Sequence, residues 1–245
     1  RARSVQSKNN HDIFGREISY VFGDALLQLH LDHPEALKRE LFVHMVQRGI
    51  DIYDRASQGA VWVDNCGHNH GRKMPMLLAG LALDAGAIVE MADAEKHFIF
   101  QEDRQTFFVS EEDLNNPKHS TVYTRDDLGM PEWGCKYTAK NGDSADRSWS
   151  TSYRWVGSGY LHHALAAHVM ESHNNPENSA AADWNHPAFF EYTDRYVYKN
   201  SRSGNIKRGS KNGFQPFSEE FWVQYRYAGP GRGDASQSEL LEREQ

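Results

Sequence analysis

Several familiar signatures are missing from this chain of 245 residues. No apolar run approaches the roughly 18–20 residues needed to cross a bilayer as a helix. The first residues, Arg1-Ala2-Arg3-Ser4, carry none of the apolar stretch of a signal peptide. Cysteine is nearly absent: Cys66 and Cys135 stand alone, without CxxC spacing. They form either one disulfide or two buried thiols, and the thiols are the favoured reading. Positive charge is not in excess. A formal net charge of −7 argues against a general nucleic-acid binder, which needs a basic face. It leaves room for an anionic ligand, because a local Arg/Lys/His cluster sets the sign of a cleft. No HExxH spacing marks a helical zinc site.

What is present argues for an ordered protein. Hydrophobic content of 39% against 25% charged residues is that of a globular chain rather than a disordered one. The length fits one large domain or two small ones, and the expectation is a single helical domain over residues 1–228 with a flexible tail at 229–245. Thirteen His and six Trp are an unusual endowment for this length and direct attention to sites.

Apolar periodicity supplies the fold class. Ile13, Phe14, Ile18, Val21, Phe22, Ala25, Leu26 and Leu29 form one face of a helix from Asp12 to about Leu31. Asp32-His33-Pro34 breaks the chain and restarts it, and a second helix over about 34–56 carries Leu37, Leu41, Phe42, Met45, Val46, Ile50 and Tyr53. A third helix is expected over about 73–91, and others over 159–173 and 187–199. Between them, residues 97–158 read as a long irregular insertion with some strand content, and 200–212 as a basic Gly/Ser-rich loop. The resulting class is mainly all-α: antiparallel helical hairpins, part or all of an α/α toroid.

The polar groups cluster between those helices. Asn9-Asn10-His11 precede the first helix, where donors near a positive backbone end favour a carboxylate, although the same residues also serve simply as caps. Asn65-Cys66-Gly67-His68-Asn69-His70-Gly71-Arg72-Lys73 is the densest array of donors and titratable groups. Zinc is the rival use of His68 and His70, and it requires a third ligand. Gln101-Glu102-Asp103-Arg104 offers a carboxylate pair for glycosidase chemistry, or else a solvated turn or an ion-pair network holding a neighbouring loop. In Arg147-Ser148-Trp149 through Tyr153-Arg154-Trp155, the indoles suit sugar faces, the arginines suit carboxylates, and Tyr153 beside Arg154 suits acid or base work; aromatic packing is the plain alternative. In Trp184-Asn185-His186-Pro187 the aromatics look like core and His186 like a cap.

Asn9-Asn10-His11 at a helix start resembles the Asn-Asn-His element of α/α-toroid alginate lyases. The wider pattern, with Gly67-His68-Asn69-His70-Gly71-Arg72-Lys73, Gln101-Glu102-Asp103 and Trp184-Asn185-His186-Pro187-Ala188-Phe189-Phe190, is similar to uncharacterised bacterial proteins grouped with such lyases, over roughly residues 9–198. The aromatics expected soon after the first element are replaced by Asp12-Ile13-Phe14. The resemblance implies β-elimination at a uronate of an acidic polysaccharide or oligosaccharide, in a periplasmic or secreted protein, with no metal or organic cofactor. Asn10 with Arg72 or Arg154 would neutralise the carboxylate, His11, His70 or Tyr153 would take the proton, and Tyr153 would protonate the leaving oxygen. His68, Arg72, Lys73, Trp149 and Trp155 would bind substrate. The competing expectations are a glycoside hydrolase, a non-catalytic glycan-binding protein and a metal enzyme.

Overall fold

The computed structural model describes residues 14–64, 69–115, 123–134, 159–203, 216–227 and 230. These are mainly helical, as the periodicity requires. The elements in order are α1 (Phe14–Gln28), α2 (Glu35–Ser57), α3 (Lys73–Ala82), α4 (Gly86–Ala92), α5 (Gln101–Gln105), β1 (Thr106–Phe108) and α6 (Glu111–Asn115). A 3-10 turn (Arg125–Asp127), β2 (Pro131–Trp133), α7 (Tyr160–Val169), α8 (Ala180–Trp184), α9 (Pro187–Ser203) and α10 (Pro216–Tyr225) follow. None of the described helices is long and apolar enough to cross a membrane.

Packing follows the small residues. A Cβ on Gly49 of α2 would stand 2.2 Å from Pro75 O, and one on Gly23 of α1 would stand 2.5 Å from His162 Cβ. Two glycines therefore let α2 close on α3 and α1 close on α7, which are among the most extensive helix pairings. α1 and α2, expected as a hairpin pair, touch each other less than they touch these partners. The helix expected over 73–91 is two: Leu83 ends α3, and Asp84, in the left-handed region at φ 51°, turns the chain into α4. Asp tolerates that conformation better than most residues, so the run of apolar periodicity continues through a real break.

One main hydrophobic cluster runs from Leu26 to Trp222 and draws on nearly every long helix. Trp184 stacks on Phe189 with centroids 4.4 Å apart, and Trp62 on Phe100 at 4.9 Å. The expected strand content is a two-stranded antiparallel ribbon in which Thr106 pairs with Trp133 and Phe108 with Pro131. A small second cluster, Phe107, Val109 and Tyr123, sits with it. The helices α5, α6, α8 and α10 were not expected. Each is short, at 5, 5, 5 and 10 residues, which gives apolar periodicity little length in which to declare itself. α9 runs on to Ser203, into the stretch expected to be loop.

Candidate functional site

The site is best built from α5, whose side chains face inward. Gln101, Glu102, Asp103 and Gln105 are all fully buried. Glu102 turns one oxygen, Oε1, to three successive backbone N–H groups at the start of α3: Gly71 at 2.6 Å, Arg72 at 3.0 Å and Lys73 at 3.5 Å. Those groups have no partner inside the helix, and a carboxylate is their natural acceptor. Gln101 accepts from Asn69 N and donates to Gln105, whose Oε1 also accepts from the Tyr160 hydroxyl at 3.3 Å. Tyr160 in turn accepts from Trp133 Nε1 at 3.2 Å. Asp103 takes the ammonium of Lys73 at 2.8 and 2.9 Å and the indole N–H of Trp184 at 2.8 Å.

This corrects one reading of the sequence and decides between two others. Lys73, expected to bind substrate, is wholly buried and engaged with Asp103 and Trp184 O, so its charge is spent inside the protein. Glu102 and Asp103, read as a hydrolase pair or as an ion-pair network holding a neighbouring loop, are equally enclosed and fit the second, holding the 69–73 segment. Burial raises the Glu102 carboxyl above its ordinary value, and Asp103 adds to the rise; Arg72 and the N–H bond from Gly71 pull the other way. Burial lowers Lys73, against the pull of Asp103.

A second feature is the junction where α1, the 69–73 segment and the start of α7 meet. Gly71 has φ +84°, and a Cβ there would stand 2.5 Å from Ser19 Cα, so both conformation and space require glycine. A Cβ on Gly159 would stand 2.9 Å from His70 Cε1 and 3.0 Å from Ser19 Oγ. His70 is fully buried and meets the Tyr160 ring edge-on, with centroids 5.5 Å apart. Arg72 is partly exposed, and its Nη1 donates to His70 O at 2.6 Å. Burial lowers its guanidinium somewhat, with Glu102 opposing.

Ser19 and His163 also meet here, at 3.1 Å between Oγ and Nε2. They are not a nucleophile and its base. His163 Nε2 lies 2.9 Å from Ser19 O, which can only accept, so Nε2 carries the hydrogen. The Ser19 hydroxyl donates to Gly159 O at 3.1 Å. Burial holds His163 down to about 4, and nearby His162 lowers it further, against the bond to Ser19 O and the charge of Asp24.

Of the residues expected to act, His70, Arg72 and Lys73 are described, and the first two lie at this junction. Asn10, His11, His68, Trp149, Tyr153, Arg154 and Trp155 lie outside the described residues. Ser19, Tyr160 and His163 were missed; they sit inside helical periodicity and read there as ordinary positions. Among the described residues no group of three His, Cys, Asp or Glu side chains is placed to hold a metal ion. A cleft of about 870 Å³ between Leu26, Lys38, Phe42, Leu81 and His173 is lined by none of the candidates. Compared with family models, curated proteins and solved structures, the chain finds no match.

Proposed function

We propose that this protein is a polysaccharide lyase that cleaves a uronate-containing acidic polysaccharide by β-elimination, on a fold that forms part or all of an α/α toroid. The observation that supports the reading most is the junction of Ser19, His70, Gly71 and Gly159. Three stretches far apart in sequence lead into it. Asn10 and His11 precede Phe14 on the chain leading into α1, His68 precedes His70 by two residues, and Tyr153 and Arg154 precede Gly159 by six and five. What meets at the junction is the nearest described part of each of those stretches, at Ser19, His70 and Gly159, and this supports the reading.

In the proposed reaction the substrate carboxylate is first neutralised, by Asn10 with Arg72 or Arg154. Neutralisation makes the proton on the adjacent carbon acidic enough to remove and stabilises the enolate-like intermediate. His11 or Tyr153 takes that proton. The electron pair then forms the ring double bond as the bond to the glycosidic oxygen breaks, and Tyr153 returns a proton to that oxygen. The route consumes no water and calls for no metal or organic cofactor. His70, buried beneath the junction, is reassigned from base to support, because a general base must reach the proton it removes. An extracytoplasmic location, periplasmic or secreted, would give such an enzyme access to its polymer.

The test is ultraviolet absorbance of the unsaturated product during incubation with alginate, glucuronan and glycosaminoglycans. A rise that disappears in Tyr153→Phe and Arg72→Ala supports the reading. A flat trace with saturable polymer binding would replace it with a glycan-binding protein. New reducing ends without absorbance would replace it with a hydrolase using carboxylates other than Glu102 and Asp103.

A further inference from the structure

The start of α3 is an anion site that the protein fills for itself. Three consecutive backbone N–H groups, those of Gly71, Arg72 and Lys73, converge on a single oxygen, Glu102 Oε1. Such a convergence at the N-terminus of a ten-residue helix has the donor pattern of a phosphate or carboxylate site. The second carboxylate oxygen, Oε2, is completely buried and has no hydrogen-bond partner among the described residues. An uncompensated buried oxygen is costly, so the position is held against its own solvation preference. A merely structural acid would be expected to satisfy both oxygens.

We propose that Glu102 is a positioning residue: it is the resident anion of a carboxylate-binding nest at the start of α3, and it holds His70, Gly71 and Arg72 in register. The charged groups that act on it are Asp103 on its own helix, Arg72 at the N-cap of α3 and Lys73 in the first turn; Asp93 and His186 act in turn on the Lys73–Asp103 pair. Asp103 and Lys73 neutralise each other at 2.8 Å. Arg72 is then the charged neighbour of Glu102 whose side chain still reaches the outside. Glu102 therefore sets both the backbone path of Arg72 and the local field around its guanidinium. Its bearing on turnover rests on the lyase reading; its hold on the loop does not.

The nest can be emptied and refilled. In Glu102→Ala the three donors lose their acceptor, and a formate ion matches the missing carboxylate in charge and shape. Amide hydrogen exchange of the substrate-free protein is the readout, so an absence of lyase activity leaves the result untouched. The Gly71 and Arg72 amides should exchange at least about tenfold faster in Glu102→Ala. Formate should restore protection saturably, and chloride at the same ionic strength should not. Unchanged exchange in Glu102→Ala, or rescue by formate no better than by chloride, would overturn the proposal. Glu102→Gln covers the case in which the alanine variant fails to fold. It keeps a carbonyl acceptor without the charge, so exchange should stay within about threefold of the parent protein while the Gly71 amide proton resonance moves upfield. An unmoved Gly71 resonance in that variant would equally sink the idea.

Discussion

Lys73 and Trp184 share one carboxylate. The ammonium of Lys73 and the indole N–H of Trp184 both donate to Asp103, at 2.8 Å each, and the ammonium stands 4.8 Å from the indole ring centroid. Lys73 closes the arrangement with a bond of 3.2 Å to Trp184 O. Three elements far apart in sequence, α3, α5 and α8, are thus tied at one buried point. That tie fixes where α5 lies, and α5 in turn places Glu102 under the 69–73 segment.

Removing one partner of this tie should therefore be costly. Lys73→Met leaves Asp103 buried with a single indole donor. The expected loss is about 3–5 kcal/mol, the range for a broken buried ion pair. Urea unfolding checks it. The double variant Lys73→Met, Asp103→Leu should recover a good part of the loss, since no charge is then stranded. A single-variant loss under about 1 kcal/mol would mean that the pair is hydrated in solution.

The helical class was legible because α1, α2 and α9 are long enough for apolar spacing to show. The purpose of Glu102 and Asp103 was less so. Adjacent carboxylates beside Arg104 look alike in a solvated turn and in a buried clamp, and only the distant partners Gly71, Lys73 and Trp184 tell the two apart. Lys73 misled for a related reason: a lysine in a Gly/His-rich segment carries no mark of the buried Asp103 that neutralises it. The role of Gly71 was hidden too, since it depends on Ser19, more than fifty residues away. Tertiary partners decided each of these, and no local pattern encodes them.

The pH dependence of folding should carry the signature of His163. Its folded-state value is lowered from 6.5 to about 4. The unfolded chain therefore binds the proton more readily between those values. Stability linked to this group is fully present above about pH 6.5 and is lost as pH falls toward 4. Integrated over that window it amounts to roughly 3 kcal/mol. Urea midpoints measured from pH 7 to 4 should fall along this limb, and His163→Gln should flatten it. An equally steep limb in the variant would assign the effect to other groups.

Two glycines separate strain from crowding. Gly59 and Gly71 share a positive φ, +85° and +84°, yet a Cβ at Gly59 meets nothing within 4 Å while one at Gly71 meets Ser19 Cα at 2.5 Å. Gly59→Ala should cost only the left-handed penalty, about 1–2 kcal/mol. Gly71→Ala adds a backbone clash that no side-chain rotation relieves, and should cost about 1–3 kcal/mol more. Equal unfolding free energies for the two variants would mean that α1 and the 69–73 segment do not close as described.

Arg72 offers the sharpest test of the chemistry, because its charge and its geometry are separable. One guanidinium nitrogen is committed to His70 O at 2.6 Å, which fixes the plane of the fork while the side chain stays partly exposed. If that fork grips a uronate carboxylate, Arg72→Lys keeps the charge but loses both the second N–H and the bond that aims it. The expected fall in kcat/KM is about tenfold for Arg72→Lys and a hundredfold or more for Arg72→Ala. Thermal unfolding should hardly change, because among the described residues the guanidinium makes one hydrogen bond, from Nη1. Full activity in Arg72→Ala would transfer neutralisation of the carboxylate to Arg154. A loss in Arg72→Lys as deep as in Arg72→Ala would show that the forked geometry, rather than positive charge alone, makes the proton removable.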